Sequence, residues 1–288
     1  MCLSTGRHLL FCGAALGLVS VIALSLLRPT PSQAANGKIL WSADMETGDL
    51  SQWYAPAKEA GGGRNGGGIF NSGFADAVAS QDYAHSGKWS AKLTITTPGP
   101  GGHASGARLF RWKECHDPAY LDTGLYYGAW FYFPKQYRLT GDPHKGKFFN
   151  LVQFKSKHGA DVDPTLYLDV QNRPNGTMYS TLYWWNMLKM EGPHRGQFGG
   201  KRFEQTSADL PVGSWVHIEV YLRQAGDFSG RITVWQDGVQ IFDEDQTRTR
   251  YPDGDNSWAV NLYSDALSPN PSTIYVDDAT ISTYRVGP

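Results

Sequence analysis

The chain has 288 residues, 41% hydrophobic and 18% charged, with a formal net charge of −1. Its 10 Trp, 15 Tyr and 13 Phe carry too much apolar surface for a disordered chain, and 33 Gly with so little charge exclude a coiled coil. Near-neutrality supplies no basic field, so nucleic acid is not an expected partner.

At the start, Arg7 and His8 precede an apolar run over 9–27 that Arg28 and Pro29 close. Ser32-Gln33-Ala34 then offers a small-x-small cleavage site. The pattern predicts a signal peptide over 1–35 and a mature domain over 36–288, secreted to an extracellular or periplasmic space. An uncleaved anchor is the alternative, and only then is the membrane a partner. Cleavage removes Cys2 and Cys12, leaving Cys115, which reads as a buried thiol rather than a nucleophile.

Beyond residue 36, period-2 segments recur between turn formers. They cover 39–46, 89–96, 107–112, 125–133, 148–156, 165–170, 178–185, 215–222, 230–242, 258–263 and 273–283, rich in Val, Ile, Tyr, Trp and Thr. Asp237-Gly238 predicts a two-residue hairpin inside 230–242, since both positions tolerate positive φ. Two stretches, 55–81 and 186–207, read as long Gly-rich or irregular loops. No window of the mature chain keeps a helical period. The predicted fold is all-β, one two-sheet antiparallel sandwich, expected to be monomeric.

Alternation also sorts side chains. In 149–157, Leu151, Gln153, Lys155 and Lys157 fall on one face, with Val152 and Phe154 on the other. That polar face suits an anionic polymer, or is simply a solvated sheet surface. In 178–185, Tyr183 and Trp185 share a face on which sugars can stack, and Trp184 takes the opposite one. The sequence has no Glu-x-Asp-x-Glu, His-Glu-x-x-His, Gly-x-Ser-x-Gly or phosphate loop. No strand offers the carboxylate pair of a retaining glycosidase.

Several motifs resemble the concanavalin A-like jelly roll. They are the opening segment with Glu46, Gly48-Asp49 and Trp53, and the Ser86-Gly87 turn before 89–96. The Trp215 and Gly230 strands and the closing segment with Asp277-Asp278 complete the likeness. The order of segments is most similar to polysaccharide lyases of the heparin lyase I and glucuronan lyase type. Arg108, Gln153 and Tyr263 stand at matching positions; Phe110 and Lys155 stand where such enzymes commonly have an acid and a His.

The resemblance implies β-elimination on a uronate-containing acidic polysaccharide. Arg108 and Gln153 would neutralise the carboxylate and Tyr263 would act as base and acid. His103 is a further catalytic candidate, with His144 and His158 as alternatives and His217 read as structural. Lys155, Lys157, Arg111, Tyr183 and Trp185 would bind substrate. The resemblance also implies a structural calcium held by Glu46 and Asp277, and no organic cofactor. The competing expectation is a non-catalytic glycan-binding or adhesion module on the same scaffold.

Overall fold

Inward-pointing apolar residues on alternating strands can be buried only by bringing two sheets face to face, and this chain does so. A computed structural model of the protein describes residues 37–55, 66–97, 103–143, 146–158, 161–185 and 200–288. Of 158, 161–165, 185, 200 and 255 it describes the backbone only. The predicted leader lies outside the described residues, and these contain no helix long and apolar enough to cross a membrane. Short 3-10 turns, Ser51–Trp53 and Glu114–His116, lie between the strands.

In chain order the strands are β1 Ile39–Ala43, β2 Gly67–Ser72, β3 Phe74–Ser80, β4 Ser90–Thr97, β5 Ser105–Arg111, β6 Leu125–Tyr132, β7 Arg138–Leu139 and β8 Phe149–His158. They continue with β9 Asp161–Asn172, β10 Met178–Trp185, β11 Gly200–Phe203, β12 Trp215–Arg223, β13 Gly230–Gln236 and β14 Val239–Thr247. The last are β15 Asp255–Ser264, β16 Leu267–Ser268 and β17 Ser272–Ser282. One sheet, called sheet A, runs β14-β13-β12-β6-β17-β4-β3, with β1 also paired to β17. Sheet B runs β11-β10-β9-β8-β15-β5-β2, and β7 and β16 form a small separate pair. Every pairing in both sheets is antiparallel.

The core lies between the sheets. Tyr127, Ala129 and Phe131 of β6 and Val216, Ile218 and Val220 of β12 enter it from sheet A. Trp258, Val260 and Leu262 of β15 and Phe154 of β8 enter it from sheet B. Trp41, Trp53 and Trp258 meet edge-on or tilted at one end, with centroids 4.7 to 6.3 Å apart. The β13–β14 hairpin turns at Asp237 and Gly238, with φ of 46° and 79°, as the dipeptide predicts.

The stretch expected as a loop over 55–81 instead carries β2 and β3. Its glycines serve packing: a Cβ at Gly67 would overlap the Phe110 carbonyl oxygen, so only glycine lets β2 lie against β5 there. Likewise 186–207 contributes β11, an edge strand of sheet B.

The outer face of β8 differs from its expected alternation. The pairing with β15 skips a step between Val260↔Val152 and Tyr263↔Asn150, and β9 shows the same irregularity. Leu151 and Val152 therefore both turn into the core, and Asn150, not Leu151, joins Gln153 outside.

Candidate functional site on the outer face of sheet B

Strand parity and register bring one set of polar side chains to the outer face of sheet B. On β15, the core side chains Trp258, Val260 and Leu262 alternate with Ala259, Asn261 and Tyr263. Across the ladders, Tyr263 pairs with Gly106 and Asn150, Asn261 with Arg108, and Ala259 with Gln153. Gln153 pairs in turn with Tyr167, Asn150 with Asp169, Asp169 with Thr181, Tyr167 with Tyr183, and Tyr183 with Arg202. The face thus runs unbroken from β5 to β11.

Arg108 and Tyr263 form its centre. The Arg108 guanidinium carbon lies 3.8 Å from the Tyr263 ring centroid and 5.1 Å from that of Phe70. Phe148 flanks Tyr263 at 4.7 Å. Gly106 makes this possible, because a Cβ there would overlap the Tyr263 ring. Arg108 is buried, and burial pulls its pKa down against the opposing influence of Tyr263. Its Nε, the Gln153 Oε1 and the Asn261 Oδ1 are buried without a hydrogen-bond partner. Buried polar atoms are normally paired, so a donor and two acceptors left open on one face suit a polar ligand.

Towards β11 the floor is hydrogen-bonded. Asn261 Nδ2 donates to Asn150 Oδ1 at 2.6 Å, and Asn150 Nδ2 donates to Asp169 Oδ1 at 3.3 Å. Arg202 Nη1 and Nη2 donate to Asp169 Oδ2 at 3.2 and 3.3 Å, and Nη1 also donates to Thr181 at 2.7 Å. Burial pushes the Asp169 carboxyl up to about 7, against the pull of Arg202 and Asn150. Tyr167 and Tyr183 stand 4.9 Å apart above this floor, and burial raises both phenols.

Among the predicted site residues, Arg108, Gln153 and Tyr263 share this face, as do Lys155, Lys157 and Tyr183 by register. Arg111 does not. Its position on β5 has the opposite parity, and its fully buried side chain points inward. There it donates to Glu114 at 2.7 and 3.0 Å and to the Trp53 and Ala55 carbonyls at 2.8 and 2.6 Å. A guanidinium so occupied holds the 3-10 turn, not a sugar. His103 is exposed ahead of β5, and no hydrogen bond or ring contact joins it to Arg108, Gln153 or Tyr263. The side chains of Trp185 and His158, and all of His144, lie outside the described residues. His217 sits on sheet A, 5.0 Å from the Trp130 ring, and burial lowers its pKa to about 4. Cys115 is fully buried, which raises its thiol to about 12. Asn150, Asp169, Asn261 and Arg202 were not singled out by sequence; outward parity is the signal Asp169, Asn261 and Arg202 carry, whereas Asn150 reaches this face only through the irregular step in β8.

The residues expected to hold calcium lie elsewhere, at the 85–89 turn against sheet A. Glu46 Oε1 accepts from the Lys88 and Trp89 amides at 2.7 Å each. Asp277 Oδ2 accepts from the His85 and Ser86 amides at 2.8 and 3.3 Å, and its Oδ1 from the Asp278 amide at 2.8 Å. Calcium needs six to eight oxygen ligands. These carboxylates face N–H donors instead, and no cluster of three His, Cys, Asp or Glu suited to a metal occurs among the described residues. The pair therefore does not fit calcium; it fits a turn anchored by amide–carboxylate hydrogen bonds.

A two-sheet antiparallel sandwich of this kind is a jelly roll. A family model described as polysaccharide lyase matches residues 45–280, and the chain belongs to that family. No curated protein sequence matches the chain. Among solved structures, an endo-β-1,4-glucuronan lyase from the fungus Trichoderma reesei aligns at 15% identity and TM-score 0.57, over 85% of this chain and 95% of that one. A marine PL-14 alginate lyase from Aplysia kurodai aligns at 13% identity and TM-score 0.51, over 85% and 98%. These neighbours share the jelly-roll fold.

Proposed function

We propose that this polysaccharide lyase is a secreted enzyme that cleaves a uronate-containing acidic polysaccharide by β-elimination on the outer face of sheet B. The reaction removes the weakly acidic proton beside a carboxylate and expels the glycosidic oxygen. It therefore needs charge neutralisation at the carboxylate, a base and an acid. Arg108 supplies a neutralising donor through its unpaired Nε, and Gln153, on the same face with Tyr263, supplies a second when its NH₂ end turns to the carboxylate. Tyr263 takes the proton and returns one to the leaving oxygen. Lys155, Lys157 and Tyr183 extend the binding face along the polymer.

The observation that carries this reading is the Arg108 guanidinium lying 3.8 Å from the Tyr263 ring, on the strand face that also holds Gln153. The test incubates the protein with glucuronan, alginate, heparin or pectate and follows the ultraviolet absorbance of an unsaturated uronide. Growth of that band with one polymer supports the proposal. Binding with no such band on any polymer would establish a non-catalytic glycan-binding protein instead.

A further inference from the structure

We propose that Asp169 is a positioning residue. Through Asn150 it fixes the amide of Asn261 so that a hydrogen-bond acceptor, not a donor, faces the sugar beside Arg108 and Tyr263.

The argument is one of hydrogen-bond polarity. An ionised carboxylate only accepts, whereas a carboxamide has a donating and an accepting end. Above about pH 7, the value to which burial raises its carboxyl, Asp169 is ionised and only accepts, with Arg202 donating to its Oδ2. Its Oδ1 therefore requires the NH₂ end of Asn150, and that bond is formed. Asn150 must then turn its oxygen towards Asn261, which answers with its own NH₂ at 2.6 Å. Each step leaves one orientation for the next, and the last leaves Asn261 Oδ1 buried without a partner. Asn150, Asp169 and Asn261 are all nearly or fully buried, so water does not scramble this order.

The consequence is a choice of ligand group at each point of the face. An acceptor repels a carboxylate and takes a hydroxyl. Asn261 lies opposite Arg108 in the ladder and two residues from Tyr263 on the same strand. A sugar hydroxyl on Asn261 therefore directs the neighbouring carboxylate to Arg108, and sets the reacting carbon against Tyr263. This inference rests on the lyase reading only in taking the occupant to be an acidic glycan.

The test has two readouts: kcat and KM on the polymer cleaved, and the side-chain amide signals of Asn261 in ¹⁵N spectra, assigned with Asn261→Leu. Asp169→Asn removes the obligatory acceptor. It is expected to lower kcat/KM about tenfold to a hundredfold, mainly in kcat, and to split or broaden the Asn261 signals. The exchange Asn150→Asp with Asp169→Asn moves the carboxylate to position 150, where it accepts from Asn261 and from the new amide. It is expected to restore a single Asn261 signal and most of kcat without restoring the carboxylate next to Arg202. A merely structural role would give no such rescue.

Wild-type kcat/KM and unchanged Asn261 signals in Asp169→Asn would overturn the proposal, as would an exchange variant no better than the single one. Should Asp169→Asn fail to fold, Asn150→Leu decides, because it cuts the relay while sparing the Asp169–Arg202 pair. It must show the same kinetic loss and the same disturbed Asn261 signal. If the wild-type protein cleaves none of the polymers, the lyase reading fails separately, and the spectra alone judge the relay by the same criteria.

Discussion

The outer faces of the two sheets are built from similar residues and end in opposite states. On sheet A the aromatic rings cover one another: His85 stacks on Trp130 at 3.8 Å, and Tyr83 on Tyr132 at 4.4 Å. Its carboxylates are consumed by the chain itself. Glu219 accepts from Arg285 and from the Val286 and Gly287 amides, and Asp277 from the 85–86 turn and Asp278. On sheet B the floor from Asn261 to Arg202 is internally paired, but Arg108, Gln153 and Asn261 each keep a buried polar atom open. One face is finished by its own loop and tail except at Arg223 Nε, and the other is left for something else to finish. Residue type alone does not distinguish them; the difference is whether local chain arrives to answer each polar group.

That contrast can be broken most sharply at Tyr263. Tyr263→Phe is expected to reduce unsaturated uronide formation by about 10²- to 10⁴-fold while leaving the thermal midpoint nearly unchanged, because the ring and its Arg108 and Phe148 contacts remain. Full activity in that variant would remove the phenol from the chemistry. The opposite result is expected of the inward Arg111–Glu114 pair. Glu114→Ala strands a fully buried guanidinium, which costs about 3–5 kcal/mol by denaturant unfolding, and leaves kcat of the folded fraction intact.

Asp277 sharpens the comparison through pH. Burial raises its carboxyl to about 7 in the folded protein from an ordinary value of 3.8. The native state therefore binds the proton more tightly than the unfolded one. Asp277 stabilises the fold most at low pH, and that contribution is lost as pH rises through about 7. Asp169, raised to about 7 for the same reason, acts in the same direction. The thermal midpoint should fall between pH 5 and pH 8, and Asp277→Asn should flatten part of that slope; an identical slope would clear Asp277 of it. The smallest effect is expected from a chelator. Because Glu46 Oε1 and both Asp277 oxygens accept from amides, EDTA should leave the thermal midpoint where it is, and a fall would reveal a cation that these contacts do not suggest.

Much of the fold was legible because alternation survives in its central strands: 178–185 coincides with β10, and the Asp237-Gly238 turn stands where two positive φ values demanded it. β2 and β3 were hidden because glycine, read as loop, there serves close strand packing. The site was half legible. Arg108, Gln153 and Tyr263 came from family likeness, whereas simple parity sets Arg111 apart from Arg108, since three residues along a strand reverse the face. Asn150, Asp169 and Asn261 were invisible because their importance lies in which end of each amide points where, and sequence spacing carries no such direction.

The doubled inward step at Leu151 and Val152 gives β8 a counting rule. Upstream and downstream halves of that strand agree on which side is wet only because two successive residues turn the same way between them. Strict alternation over the same residues would roll Phe149 outward and Asn150 inward, exchanging oil for amide on both sides at once. That local break in the zigzag is thus as much a part of the site as any side chain on the strand.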